Sequence, residues 1–242
     1  MVVRVANWNF ERRGPKTWQA ASLVTEISAF APDLICLTEA HKTSLEILGG
    51  HTIDHVGYRA TRKKESERLV MLWSKAPWQP IQVPKDLQAL GGLVCGVTQL
   101  SARRVCCIGL CIPYHMAKLD GEDRTRPWHH HKVFLRAVTP WLRQQAQNNP
   151  VILLGDFNQR IPRKYGSQDA YALLEEALSP FHILTSGGLQ PLSLQTIDHI
   201  CTNQAFIAKS IEARSRFDEG GRPRSDHFGV FAELDRVPLP HG

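Results

Sequence analysis

Apolar stretches long enough to cross a membrane are missing, since the 242-residue sequence has no apolar run of about 18 residues. Residues 1–9 lack the basic start, apolar stretch and small-residue cleavage site of a signal peptide. Internal repeats and low-complexity linkers are also missing. We therefore expect no membrane span, one domain over residues 1–242, a monomer and a cytoplasmic location.

Cysteine pairs at metal-ligand spacing are absent as well. The six cysteines include no CxxC pair, and no Cys/His spacing resembles a zinc site. Most of them lie inside apolar, strand-like runs, as Cys36 does in Leu34–Leu37 and Cys106 does in Val105–Ile108. Buried free thiols in a reducing compartment are the expected state.

Positive charge is in excess, with a net charge of +6 and a pI near 9.1. Such a balance suits a polyanionic partner, because each neutralised phosphate releases counterions. It is weak support alone, since many basic proteins bind no nucleic acid. Two irregular stretches, 118–127 and 218–224, hold basic residues that could meet a phosphate backbone: Lys118, Arg124, Arg126, Arg222 and Arg224.

The order of apolar patterns predicts an α/β protein. Strands are expected at 2–8, 33–38, 55–60, 68–73, 78–83, 93–99, 104–112, 151–155, 196–201, 206–213 and 228–234. Helices are expected near 18–30, where Pro32 follows, and at 128–147 and 169–178. Hydrophobic residues make up 43% of the chain, enough for a sizeable core. Strands in consecutive groups with helices between the groups favour two packed sheets covered by helices.

The tetrapeptide Gly155–Asn158 follows directly on the apolar run Val151–Leu154, which is typical of a buried strand. Residues two apart in an extended segment point to the same side, so Asp156 and Asn158 are expected to face one spot. A carboxylate beside an amide suits metal-assisted attack on a phosphate. Taken alone, the pair is equally compatible with an ordinary turn, because Asp and Asn are common turn formers.

Four further strand ends carry similar side chains. In chain order they are Asn7 and Asn9, then Glu39, then Asp198 beside His199, then the segment Ser225-Asp226-His227. Five such ends in one chain are hard to attribute to turns. His199 is expected to be structural, and the run His129–His131 at a helix start is expected to be solvated.

The oxygen-rich set indicates a hard cation, Mg²⁺ or Mn²⁺, held by few carboxylates together with water and substrate phosphate. Glu39 is the best anchor for the metal, helped by Asn9 and Asp226. The cation would polarise the phosphate and stabilise charge on the leaving oxygen.

The remaining side chains fit roles in the reaction itself. Asp156 would orient or deprotonate the attacking water, and Asn158 would donate a hydrogen bond to a phosphoryl oxygen. His227 as an imidazolium would bind the same phosphate, with Asp198 holding it and raising its pKa.

These segments resemble the signature set of the endonuclease/exonuclease/phosphatase superfamily, which includes exonuclease III, the apurinic endonucleases and pancreatic-type deoxyribonuclease. The segments are Trp8-Asn9, Leu37-Thr38-Glu39, Gly155–Asn158, Ile197-Asp198-His199 and Ser225-Asp226-His227. The resemblance runs from residue 2 to about 235. It implies a four-layered α/β sandwich of two mixed sheets flanked by helices. It also implies divalent-metal hydrolysis of phosphate esters, with Asn9 and Glu39 at the metal, Asp156 and Asn158 at nucleophile and phosphate, and Asp198 supporting His227.

The sequence departs from that family at one position. A Tyr or His that contacts the phosphate is usual at the end of the strand before the long helix, where this chain has Cys111. Either Tyr114 or His115 supplies that contact, or the contact is missing. Asn7 and Arg126 are further candidates for phosphate contact.

A nuclease acting on nucleic acid is the leading functional hypothesis. The alternatives are a phosphoesterase for a lipid, inositol or other small phosphate ester, and a degenerate, non-catalytic nucleic-acid binding module. DNA and RNA remain equally possible, as do endonuclease and exonuclease action.

Overall fold

The computed structural model describes residues 2–57, 65–119, 122 and 126–237. Within them the helices are α1 (Trp18–Phe30), α2 (Lys85–Leu90), α3 (His129–Asn148) and α4 (Gln168–Leu178). The strands are β1 (Val3–Asn9), β2 (Leu34–His41), β3 (His51–His55), β4 (Glu67–Ser74), β5 (Gln79–Pro80), β6 (Gly92–Leu100), β7 (Arg103–Cys111), β8 (Val151–Asp156), β9 (His182–Ile183), β10 (Gly188–Leu189), β11 (Leu194–Gln195), β12 (Asp198–Thr202), β13 (Phe206–Arg214) and β14 (Gly229–Arg236).

The strands form two six-stranded sheets and a small hairpin, β10–β11. The first sheet has the order β13-β14-β1-β2-β4-β3, and the second has the order β5-β6-β7-β8-β12-β9. Both sheets are mixed, because β1 runs parallel to β2 and β7 runs parallel to β8 whereas the other pairings are antiparallel.

The central strands are buried on both faces. In β8, Ile152 and Leu154 pack into the apolar layer between the two sheets, whereas Val151 and Leu153 pack against α3 and α4. On the far side of the first sheet, Leu23 and Ile27 of α1 join a separate apolar cluster. The predicted four-layered sandwich is therefore confirmed, and burial on both faces explains why the strands appear as continuous apolar runs.

Most predicted elements match the structure to within a few residues. Of the strand predicted at 55–60, His55 belongs to β3, residues 56–57 are not in a strand, and residues 58–60 lie outside the described residues. The strand predicted at 78–83 is reduced to the two residues of β5. The short helix α2 was missed because six residues are too few to show a repeated helical pattern. All six cysteines are buried and free, as expected. None of the helices in the described part of the chain is long and apolar enough to span a membrane.

The topology brings the five polar strand ends to one edge of the sandwich. β1 and β2 are parallel, so Asn9 lies beside Thr38, the neighbour of Glu39. β12 is antiparallel to β8, and its first residue, Asp198, pairs with Asp156 at the end of β8. β14 is antiparallel to β1 and starts at Gly229, so the segment before it also lies at this edge.

Candidate active site

Gly155 shapes the tip of β8. Its φ is +140°, and a Cβ added there would lie 1.8 Å from the backbone oxygen of Leu110 on β7. Only glycine lets the two parallel strands approach this closely, which places Asp156 beside Cys111. Asn158 turns back with φ +54°, and its N–H donates to Asp156 Oδ1 at 2.9 Å.

We expect Gly155→Ala to lower the free energy of unfolding by more than about 2 kcal/mol, because it combines an unfavourable φ with a backbone collision. Urea unfolding followed by circular dichroism measures this loss. Gly187→Ala is the matched control, since Gly187 has φ +83° but an added Cβ would meet no atom within 4 Å. Equal losses in both variants would show that the contact with Leu110 is unimportant.

The Asp156 carboxylate is buried at the centre of the site. Its Oδ2 accepts a hydrogen bond from Asn9 Nδ2 at 3.1 Å. Burial raises the pKa of Asp156 to about 7, helped by the negative charge of Asp198 and opposed by the charge of His227 and the N–H of Asn158. A carboxylate with a pKa near neutrality can hold or release a proton at physiological pH.

Asp198 and His227 form a close pair beside it. His227 Nδ1 donates to Asp198 Oδ2 at 2.6 Å. Burial lowers the pKa of His227, but the charge of Asp198 and this hydrogen bond outweigh burial and raise the pKa to about 10. The side chain is therefore an imidazolium. Asp156, Asp198 and His227 each have one potential metal-ligand atom, and these three atoms lie within 4.8 Å of one another.

Trp8 and Ser225 hold the His227 segment against β1. Trp8 Nε1 donates to the backbone oxygen of His227 at 2.9 Å. Ser225 Oγ donates to the backbone oxygen of Asn9 at 2.7 Å, and the His227 N–H donates to Ser225 Oγ at 3.2 Å. Sequence patterns gave no role to Trp8, whose indole N–H shows its function only once the final segment is placed.

Asn7 lies beneath the site and not in it. Its Nδ2 donates to the backbone oxygens of Gly155 at 3.0 Å and His199 at 3.1 Å, and the side chain is fully buried. A substrate phosphate cannot reach it in this conformation, so the expected phosphate contact is wrong. Asn7 instead joins the two sheets directly below the tip of β8.

Glu39 is more accessible than Asp156 and Asp198, with 25% of its side chain exposed. Its Oε2 lies 2.6 Å from Arg12 Nη1, and the Arg12 N–H donates to the Glu39 backbone oxygen at 2.6 Å. The Glu39 carboxylate is thus paired with the positive charge of the Arg12 guanidinium in this structure. Asn9 Oδ1 already accepts the N–H of Glu11 at 2.8 Å, which leaves it one lone pair.

The donor set fits a hard divalent cation better at Glu39 than at His227. A metal at the Asp156, Asp198 and His227 cluster would have to displace the proton that His227 shares with Asp198. Glu39 offers carboxylate oxygens. Asp226, whose side chain is 59% exposed, lies beside His227, with its Oδ1 3.8 Å from His227 Nε2. Asp198 Oδ1 has no hydrogen-bond partner among the described residues, so the site also holds an unsatisfied buried anionic oxygen.

Comparisons with known proteins agree with this geometry. The model of the Endonuclease/Exonuclease/phosphatase family matches residues 6–227. The chain belongs to this family. A search of curated proteins finds no match.

Solved structures of the endonuclease/exonuclease/phosphatase family share the fold. The 3′ phosphatase NExo from Neisseria, bound to a product DNA hairpin, is 18% identical with a TM-score of 0.69, over 96% of this chain and 99% of that one. D. rerio TDP2, complexed with a single-strand DNA product, is 11% identical with a TM-score of 0.66, over 97% and 99%. The human Nocturnin catalytic domain, with bound sulfate, is 15% identical with a TM-score of 0.65, over 98% and 94%.

The two candidates for the contact predicted in place of Cys111, Tyr114 and His115, lie in different surroundings. Cys111 is buried, and burial followed by the charges of Asp156 and Glu39 raises the pKa of its thiol well above the usual value. His115 is exposed and lines a cavity of about 360 Å³ together with Asn158. Tyr114 does not line that cavity.

The basic loop residues divide into accessible and inaccessible ones. Arg126 and Lys118 are exposed, whereas Arg124 lies outside the described residues. Arg224 is buried, with Nη1 3.3 Å from Glu26 Oε2, so it is not one of the loop residues that could meet a phosphate backbone. Arg222 is exposed and paired with Asp218 at 2.7 Å.

A buried histidine network supports the Asn158 loop, and sequence patterns missed it. His131 is not solvated, since its Nδ1 donates to the Pro113 backbone oxygen at 2.7 Å and its Nε2 accepts from Gln159 Nε2 at 2.6 Å. His199 Nε2 donates to the Gln159 backbone oxygen at 2.9 Å, which confirms its structural role. Burial lowers the pKa of both histidines to about 4, so both are neutral.

Proposed function

We propose that this protein is a divalent-metal-dependent phosphodiesterase that acts on nucleic acid, with Mg²⁺ or Mn²⁺ as its cofactor. One observation carries the proposal: the buried Asp156 carboxylate, with a pKa near neutrality, lies beside an imidazolium held by Asp198. A base next to a fixed positive charge suits attack of water on a phosphate diester. A purely nucleic-acid-binding protein has no need of a buried carboxylate there.

The roles of the side chains follow from their contacts. Asp156 orients the attacking water and accepts its proton. His227 places positive charge against a phosphoryl oxygen, and Asp198 positions the ring through Nδ1 so that Nε2 faces the substrate. Asn158 Nδ2 donates one hydrogen to the Ile112 backbone oxygen at 2.9 Å, which leaves its second hydrogen for the substrate.

Glu39 would hold the metal, with Asn9 and Asp226 as further oxygen donors. A bound divalent cation supplies Lewis-acid polarisation of the phosphate and stabilises charge on the leaving oxygen. The Arg12 guanidinium contacts Glu39 Oε2 at 2.6 Å. With the cation bound, Arg12 would share this carboxylate with it or would move onto the substrate phosphate.

Nucleic acid is favoured as the substrate by the net charge of +6 and by two relatives whose structures contain DNA. The cytoplasmic location, the monomeric state and the single domain over residues 1–242 stay predictions. A phosphatase or diesterase for a small ester and a non-catalytic binding module are the competing functions. A panel of oligonucleotides, inositol phosphates and lipid headgroup esters, each with and without Mg²⁺, separates all three.

We expect hydrolysis of bis(p-nitrophenyl) phosphate to require Mg²⁺ or Mn²⁺ and to stop with EDTA. Glu39→Gln is expected to weaken Mn²⁺ binding, measured by calorimetry, by at least about tenfold. Glu67→Gln is the matched control, because Glu67 Oε2 also approaches Arg12, at 3.9 Å, but is not a proposed ligand. Unchanged Mn²⁺ affinity in Glu39→Gln, or equal losses in both variants, would contradict the assignment.

A further inference from the structure

A groove of about 500 Å³ lies next to the proposed active site, and the reaction described above uses only Asp226 of its lining residues. Its lining includes Arg160, Lys164, Leu194, Arg216, Phe217 and Phe228. Asp226, the neighbour of His227, also lines it, so the groove is continuous with the catalytic edge. We call it the flanking groove.

Two arginines connect the flanking groove to the site, one near Asn158 and the other at Asp226. Arg160 follows Asn158 by two residues and also lines the smaller cavity that contains Asn158 and His115. Arg216 Nη1 donates to the backbone oxygen of Asp226 at 3.2 Å. A chain of phosphates whose reacting member lies between Asn158 and His227 would therefore continue past one arginine or the other.

The guanidinium of each arginine packs over one exposed aromatic ring. The guanidinium carbon of Arg160 lies 4.9 Å from the Tyr165 ring centroid, and that of Arg216 lies 4.7 Å from the Phe217 ring centroid. Tyr165 is 63% exposed and Phe217 is 38% exposed, so neither ring is used to fill the core. Exposed rings beside planar cations are the surfaces on which nucleobases stack.

The charge of the flanking groove suits the same ligand. Arg160, Lys164 and Arg216 supply three positive charges against the single carboxylate of Asp226. Apolar side chains such as Leu194 line the same groove, so it offers both cations for phosphate and apolar surface for bases. A phosphate alone would not need the rings, and an apolar ligand would not need the cations.

We propose that the flanking groove, together with the adjoining cavity of about 360 Å³ that Tyr165 and Arg160 line, binds an unpaired strand of nucleic acid next to the reacting phosphate, with bases stacked on Phe217 in the groove and on Tyr165 in the cavity. A duplex does not offer its base faces, because they stack on one another, so the rings select unpaired nucleotides. This inference rests on the proposed function only in assigning which phosphate of the strand reacts. DNA and RNA strands share the required chemistry.

The test is fluorescence anisotropy of labelled oligothymidylate, oligouridylate and a mixed-sequence duplex, each of about 12 nucleotides, in EDTA so that no turnover occurs. We expect wild-type protein to bind a single strand more tightly than the duplex. The variant Tyr165→Ala/Phe217→Ala is expected to bind single strands at least about fivefold more weakly, with the ratio kept at higher salt because stacking involves no counterion release. The thymidylate and uridylate arms show whether the strand is DNA or RNA.

The control variant is Ile47→Ala/Ile207→Ala, which removes two other exposed apolar side chains, 85% and 57% exposed, outside the flanking groove. It should bind like wild type. Both double variants should hydrolyse bis(p-nitrophenyl) phosphate within about twofold of wild type, because they lie outside the catalytic cluster. Duplex binding as tight as single-strand binding, or unchanged affinity in Tyr165→Ala/Phe217→Ala, overturns the inference. If the wild-type protein hydrolysed no ester in the presence of Mg²⁺ or Mn²⁺, the proposed function would be wrong. The result on strand binding would be unaffected.

Discussion

Asp156→Asn is expected to lower the hydrolysis of bis(p-nitrophenyl) phosphate by about a thousandfold, because an amide cannot accept a proton from water. The same substitution is expected to stabilise the protein at neutral pH. The wild-type carboxylate is buried next to Asp198, and an amide removes that like-charge contact. The amide keeps only one of the two hydrogen bonds that the carboxylate accepts, and this loss costs about 1 kcal/mol of stability.

The pH dependence of this stabilisation has a definite sign. The pKa of Asp156 is about 7 in the folded protein, raised from 3.8, so the folded form binds the proton more tightly than the unfolded chain does. The contribution of Asp156 to stability is therefore full below pH 3.8 and is lost as the pH rises through about 7. Thermal melting in EDTA should show a melting-temperature gain for Asp156→Asn that is small near pH 4 and largest above pH 7.

Asp86→Asn is the control for this experiment, since Asp86 is an exposed acid in the first turn of α2. It should change neither activity nor the pH dependence of melting. If Asp156→Asn retained near wild-type hydrolysis, Asp156 could not be the base. If it melted at a lower temperature than wild type at every pH, the electrostatic account of its burial would be wrong.

His227→Asn is expected to lose activity by about a thousandfold and, unlike Asp156→Asn, to lose stability as well. The substitution leaves the buried Asp198 carboxylate without its charged partner, a loss of about 3–5 kcal/mol for a buried pair. The double variant Asp198→Asn/His227→Asn should recover much of the stability without recovering activity, because no buried charge is then unpaired. Equal stability of the single and double variants would show that the pair is not an ion pair.

The wild-type activity should also depend on pH in two steps. It should rise as Asp156 loses its proton near pH 7 and fall as His227 loses its proton near pH 10. Because His227 has its pKa raised from 6.5 to about 10, its contribution to stability is full below pH 6.5 and is lost as the pH rises through about 10. Initial rates in a series of constant-ionic-strength buffers measure the first effect, and thermal melting measures the second.

Strand patterns predicted which residues share a face of a strand but not how deep each one lies. Asn7 and Asn9 share a face of β1, yet only Asn9 reaches Asp156, whereas Asn7 lies one pleat further in under β8 and β12. His131 was expected to be solvated, and Arg224 was one of the loop residues that could meet a phosphate. Both are buried. Depth depends on what packs over a residue, and those covering elements come from distant parts of the chain.

The sequence by itself determined most of the order of strands and helices, the expectation of two packed sheets covered by helices, and the set of polar strand ends, because apolar runs and turn residues act over short distances along the chain. The four layers were implied by the family resemblance. Only the tertiary structure decided that Asp156 and Asp198 lie close enough to raise the pKa of Asp156, that Trp8 holds His227, and that Tyr165 and Phe217 stand exposed beside arginines. Each of these depends on the register between strands or loops far apart in sequence. The free energies that fix such registers come from packing and hydrogen bonds across the whole sandwich.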